Sequence, residues 1–195
     1  MALGKQAKVL NTNQQKTVLN FLTTTRKPLR NEVIFKLSIK AGLRAKEISN
    51  LRWSMVTDSE GQIGDCIALT NVASKGNSGG VIWLNKELKN SLIELWKTRW
   101  HTDVNDYVIK SERNCMMSAQ VIVNLFAKWY STMGFEGCSS HSGRRTFITN
   151  AAKKISSVGG SIRDVQSLAR HSSLNMTQKY IENDIDAMKR VVQLV

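Results

Sequence analysis

Two arginines, two histidines, a lysine and a tyrosine stand at spacings that could handle an anion. His141 and Arg144 lie three positions apart in "SSHSGRRTFITN", a spacing that puts both on one helical face, with Ser139 and Ser140 before them as candidate caps. In "AGLRAKEISNLRW", Glu47 follows Arg44 by three, where an ion pair would orient the guanidinium. Lys75 sits in the glycine-flanked turn "SKGNSGG", and Tyr180 follows His171 in "LARHSSLNMTQKYIE". Guanidiniums donate paired, charge-assisted hydrogen bonds to oxyanions. A tyrosine hydroxyl, with an ordinary pKa of about 10, needs a base and a cationic surrounding to become a nucleophile. Taken singly, each pattern is ordinary: an H-x-x-R pair in a basic chain is usually a solvated face, and R-x-x-E a surface ion pair.

The segments around these residues read as mostly helical with one small sheet inserted early. Val18, Leu19 and Leu22, after caps at Asn11, Thr12 or Asn13, predict a helix from Asn13 to about Thr24, with the first residues as a tail. "NEVIFKLSIKAGL" is apolar almost all round and predicts a helix buried on several sides, after which Gly42 turns the chain and places Arg44 at the next helix start. "CIALT" and "VIWL" are strand-like, and the turn residues between them predict an antiparallel hairpin. Helical periodicity then returns at Leu88, Leu92 and Leu95, at Ile122, Phe126 and Trp129, at Ile148, Ala152 and Ile155, and at Ile162, Val165 and Leu168. A last stripe, Ile181, Ile185, Met188, Val192 and Val195, predicts a C-terminal helix with an apolar face.

Composition narrows the partners. Lys and Arg number 28 against 15 Asp and Glu, a formal +13 over 195 residues. Such a field favours a polyanion, because every phosphate neutralised releases counterions, and nucleic acid is the leading partner. Three widely spaced cysteines predict a reduced compartment and no disulfide framework. No long apolar run and no h-region suggest a membrane span or signal peptide. Cys138 with His141 is too little for a zinc site, and no acidic cluster suits magnesium. "GNSGG" satisfies the G-x-S-x-G pattern of serine hydrolases, but the run after Ser78 is strand-like where that motif needs a helix. Tyr107 and Tyr130 compete with Tyr180, and both lack an upstream histidine box. The tryptophans read as packing first.

Together, four segments resemble the boxes of the tyrosine recombinase (phage-type integrase) catalytic domain. "GLRAKEISNLRW" looks like its first arginine box, "SKGNSGGVIWL" its lysine hairpin, "HSGRRTF" its His-x-x-Arg box and "LARHSSLNMTQKYIE" its closing box. The resemblance implies the mainly α DNA breaking-and-rejoining fold with a small antiparallel β-sheet. It also implies that Arg44 and Arg144 grip the scissile phosphate, His141 and His171 flank it, Lys75 reaches in from the hairpin, and Tyr180 attacks. His141 would act as base and Lys75 would protonate the leaving 5′ oxygen. The two guanidiniums would meet the charge growing on phosphorus, so neither metal nor cofactor is expected. The 3′-phosphotyrosyl ester would conserve the bond energy of the cut strand, allowing integration, excision or inversion without ATP.

Expected partners are duplex DNA, further copies of the chain from dimer to tetramer, and accessory DNA-bending or directionality proteins, all in the cytoplasm of a bacterium or host of a mobile element. The expected organisation is a tail over 1–11, the catalytic domain over 12–182, and a helix over 183–195 that docks within its own protomer or on a neighbour. Arg170 stands where such proteins commonly have glycine, Arg145 where a second histidine is common, and the Arg144–His171 interval is long through "KKISSVGGS". These departures, and the short stretch before the first box, keep two alternatives in view: a weakened DNA-binding accessory protein and a type IB topoisomerase-like enzyme. The chain resembles minimal relatives such as fimbrial-switch invertases, or else a piece of a longer integrase.

Overall fold

A computed structural model of the chain describes residues 6–74, 79–98, 103–181 and 192–193. By internal packing it divides into two units, Met1–Phe147 and Ile148–Val195, each taken in turn.

The first unit is organised around one apolar helix. α1 (Thr12–Thr23) starts at Asn11, whose side chain accepts the Gln14 N–H while the Gln14 side chain accepts the Asn11 N–H. Its apolar spacing then buries Val18 and Leu22. α2 (Pro28–Lys40) begins with proline at the first helical position, where the missing N–H costs nothing. It buries Val33, Ile34, Phe35, Leu37 and Ile39, which is why the run is apolar on several faces. It packs against α1, against α3 (Ala45–Asn50) and against α4 (Lys86–Lys97), and α3 packs in turn on α5 (Ala119–Thr132).

Between α3 and α4, β1 (Cys66–Leu69) pairs antiparallel with β2 (Gly80–Trp83), with Cys66 opposite Trp83 and Leu69 opposite Gly80. Ile67, Leu69 and Ile82 point into the core, while Trp83 is 67% exposed. That placement departs from the expectation that every tryptophan packs, because period-two alternation turns Trp83 to the solvent face. Trp53 and Trp129 are buried as expected, Trp53 with its ring 4.7 Å from that of Trp96. At Gly79 the chain passes so close to β1 that an added Cβ would lie 2.5 Å from the Leu69 carbonyl oxygen. β2 begins at Gly80, so the chain after Ser78 continues as a strand and not as the helix that the hydrolase motif requires.

Residues read in sequence as tail are partly anchored. Leu10 is fully buried, its N–H donates to Thr146 Oγ1 at 2.9 Å, and the Lys8 N–H donates to the Gly137 carbonyl at 3.0 Å. Thr146 belongs to α6 (Ser142–Lys154), which crosses the division between the units.

In the second unit α6 gives way to a 3-10 turn at Ile155–Val158, closed by Gly159 at φ +78°. The long interval between Arg144 and His171 is therefore largely helical up to Val158. α7 (Ile162–Ala169) opens on Ser161, whose N–H and hydroxyl both donate to the Asp164 carboxylate, holding that carboxyl below its ordinary pKa. α7 packs on the short α8 (Leu174–Gln178) through a stripe that buries Val165 and Ala169. The tip of the hairpin with Lys75, and most of the helix expected over 183–195, lie outside the described residues. Among the described residues no helix is long and apolar enough to cross a membrane.

Candidate active site

Gly42 sets up the arginines of the first unit. α2 ends at Lys40, and Gly42 follows in the left-handed region at φ +65°, so that the chain reverses and the Leu43 N–H returns to the Leu37 carbonyl. Two residues on, Arg44 stands immediately before α3, as the sequence predicts. Glu47, one turn into α3, accepts the Arg44 N–H at 2.8 Å through one oxygen and the Arg44 Nη1 at 2.9 Å through the other. The carboxylate is 0% exposed, whereas the Arg44 side chain retains 22% exposure. This is a buried orienting pair with one open end, and not a surface ion pair.

Arg144 reaches the same turn from α6. It is 4% exposed, and its Nη1 donates to the Gly42 carbonyl at 2.6 Å. A Cβ at position 42 would lie 2.6 Å from Phe147 Cδ1 and would also have to adopt the left-handed backbone. Gly42→Ala is therefore expected to lower stability by about 2 kcal/mol in urea unfolding and to slow whatever reaction Arg144 serves. Glu47→Ala strands a partly buried guanidinium and a backbone N–H together. The expected loss is about 3 kcal/mol, with Glu47→Gln losing less because the amide oxygen can still accept, as unfolding midpoints will read.

His141 is exposed and sits just before the first residue of α6, its carbonyl accepting the Arg145 N–H at 2.9 Å. It therefore occupies the capping position itself, where Ser139 or Ser140 had been expected. Ser139 Oγ instead accepts the His141 N–H at 3.3 Å, and Ser142 Oγ accepts the Ser139 N–H at 3.0 Å. His141 and Arg144 thus differ in setting: one open to solvent at the helix mouth, the other enclosed one turn inside.

The second unit holds His171 and Tyr180. Arg170 ends α7 at φ +52°, a left-handed cap, and this explains why a glycine would be natural there. Comparing Arg170→Gly with Arg170→Ala isolates that backbone term, since both lack the guanidinium. The glycine variant is expected to be more stable by about 1 kcal/mol in thermal or urea unfolding. Beyond the cap, the His171 N–H donates to the Gln166 carbonyl at 3.1 Å and the Gln166 side chain returns a bond to the His171 carbonyl at 3.1 Å. The imidazole is buried at 7% exposure, with Nδ1 2.9 Å from Thr177 Oγ1. Its ring stacks on that of Tyr180, centroids 5.4 Å apart and planes 28° apart. Tyr180 lies just past α8, its N–H bonded to the Thr177 carbonyl at 2.9 Å and its carbonyl accepting from Thr149 Oγ1 at 3.2 Å.

The competing tyrosines are differently placed. Tyr130 is buried between Phe126 and Phe135, and burial, with Cys138 nearby, pushes its phenol well above the ordinary range, which opposes nucleophilic use. Tyr107 stacks under the Arg52 guanidinium at 4.3 Å, and its hydroxyl accepts from Arg52 Nη2 at 3.0 Å. Four supporting groups carry no local sequence signal: the Gly42 carbonyl, Gln166, Thr177 and Thr149 each act on a partner that no helical spacing marks.

The sequence profile of the phage integrase family matches residues 8–186. The tyrosine recombinase XerA of Thermococcus kodakarensis is 26% identical over 186 residues, covering 94% of this chain and 61% of the relative. The crystal structure of XerA recombinase superposes with a TM-score of 0.75 at 20% identity, covering 100% of this chain and 65% of that one. The Tn1549 transposon integrase, solved in complex with a circular intermediate DNA, superposes with a TM-score of 0.78 at 16% identity, covering 99% and 67%. The chain thus spans about three fifths of the length of the XerA proteins it matches.

Proposed function

Since the chain belongs to the phage integrase family, we propose that it carries the catalytic machinery of a tyrosine site-specific recombinase acting on duplex DNA. Tyr180 attacks a backbone phosphorus, the bond to the 5′ oxygen breaks, and the chain is left joined to the 3′ end as a phosphotyrosyl ester. Arg44 and Arg144 donate to the non-bridging oxygens as negative charge grows on them, where fixed planar donors lower the barrier most. His171 adds a ring N–H to the same phosphoryl group. His141, open to solvent, takes the phenol proton, and Lys75 supplies a proton to the departing oxygen. Reversal by a 5′ hydroxyl of a second strand rejoins the DNA with the bond energy kept.

The observation that carries this reading is the anchoring of two arginines on one reverse turn. Arg144 is bonded to Gly42, and Arg44, two residues further on, is clamped by a buried carboxylate. Guanidiniums held in this way are oriented before any ligand arrives, which is what stabilising a short-lived charged phosphorus requires. The XerA relatives and the DNA-bound Tn1549 integrase support duplex DNA as the substrate. The formal charge of +13 supports it independently. Dimers to tetramers on DNA, accessory bending or directionality proteins, and action in the cytoplasm at the nucleoid complete the proposal.

Trapping tests it. A nicked duplex that lets a short 5′-hydroxyl fragment diffuse away should leave the chain covalently attached to the 3′ end, stable to denaturant and removed by protease digestion. Absence of any such adduct on duplexes bearing the chain's own recombination site would sink the reading.

A further inference from the structure

We propose that Thr177 is a positioning residue for the reaction, holding His171 as the tautomer that carries its proton on Nε2. The proposal rests on the recombinase reading and adds a residue to it. Thr177 is 0% exposed, and the partner of its hydroxyl is Nδ1 of His171 at 2.9 Å. A buried hydroxyl proton needs an acceptor. Among the described residues Nδ1 is the one within reach, so the hydroxyl donates and Nδ1 is the unprotonated nitrogen. In a neutral imidazole the proton then resides on Nε2, making that edge a donor. A donor is what a non-bridging phosphoryl oxygen accepts from, and the opposite tautomer would present a lone pair to an anion.

Thr177 also touches the nucleophile's backbone. Its carbonyl accepts the Tyr180 N–H at 2.9 Å, so one residue holds the His171 ring through its side chain and Tyr180 through its main chain. The stack between the His171 and Tyr180 rings, at 5.4 Å, ties the two together on a third side. Gln166 fixes the His171 backbone, accepting its N–H and donating to its carbonyl, while Thr177 meets the ring at Nδ1.

Thr177→Val keeps the shape and removes the hydroxyl, whereas Thr177→Ser keeps the hydroxyl. Nitrogen-15 spectra of the whole chain can be assigned by the signals that vanish in His171→Gln, since there are 3 histidines in all. The wild type and Thr177→Ser should show a pyridine-like Nδ1 and a pyrrole-like Nε2 on His171, and Thr177→Val should lose that preference. Adduct formation on the nicked duplex should fall about 10- to 100-fold in Thr177→Val, the scale known for partners that orient metal-bound histidines, and recover to within about threefold in Thr177→Ser. A protonated Nδ1 on neutral His171 in the wild type overturns the proposal. So does a valine variant that reacts at the wild-type rate, or a serine variant as slow as valine while its unfolding temperature is unchanged. A wild-type chain that forms no adduct overturns the recombinase reading and the positioning role with it, whereas adduct formation indifferent to valine removes only the positioning role.

Discussion

Tyr180→Phe is expected to abolish the covalent adduct while leaving the fold and DNA binding in place. The substitution keeps the aromatic ring, so the stack on His171 survives, and both backbone bonds, to the Thr177 carbonyl and from Thr149 Oγ1, are untouched. The change is confined to the hydroxyl. There are 3 tyrosines in the chain, so parallel variants account for every phenol. Tyr130→Phe removes a hydroxyl that has no hydrogen-bond partner among the described residues, and it should form adduct at the wild-type rate. Tyr107→Phe gives up a bond to Arg52 and should also remain reactive. Gel separation of protein–DNA adduct under denaturing conditions reads all three, and an adduct that persists in Tyr180→Phe would mean that another group is the nucleophile.

Arg144→Ala should slow adduct formation by about a thousandfold, the scale of losing a preorganised donor to a developing oxyanion. Arg144→Lys retains the charge but not the planar fork, and a loss of about a hundredfold is expected. Because Arg144 also donates to the Gly42 carbonyl, alanine leaves a buried acceptor unsatisfied, at a cost of about 1–3 kcal/mol. The two effects separate in measurement: single-turnover rates on the nicked duplex report the chemistry, and urea midpoints report the fold. If the alanine variant reacts within tenfold of wild type, Arg144 does not serve the phosphate.

Local pattern carried the sequence reading a long way, and its failures share a cause. Helix α2, the Arg44 helix start and the Arg44–Glu47 pair were legible because each depends on residues within one or two turns. The fold class followed from periodicity and agrees with the structures of XerA and the Tn1549 integrase. The acceptor for Arg144 was not legible, because Gly42 lies 102 residues away in sequence and contributes a carbonyl, a group every residue has. Thr177 lies six residues from His171 and acts across the break between α7 and α8, outside the spacing at which helical neighbours meet. Leu10 looked like part of a tail because it precedes the first helical pattern, yet it is buried and is held by bonds to residues as distant as Thr146, while Lys8 is bonded to Gly137. Arg170 was marked as unusual from its type, and only the backbone angle revealed what the position demands.

The carbonyl that anchors Arg144 has an evolutionary corollary. A side-chain acceptor can be deleted by one nucleotide change, but an oxygen of the main chain persists through every codon at that site and can be lost only by rerouting the loop. Libraries randomised at position 42 should thus keep the acceptor and be limited instead by the left-handed backbone and the Phe147 ring, with second-site revertants clustering at 147, where trimming the ring makes room.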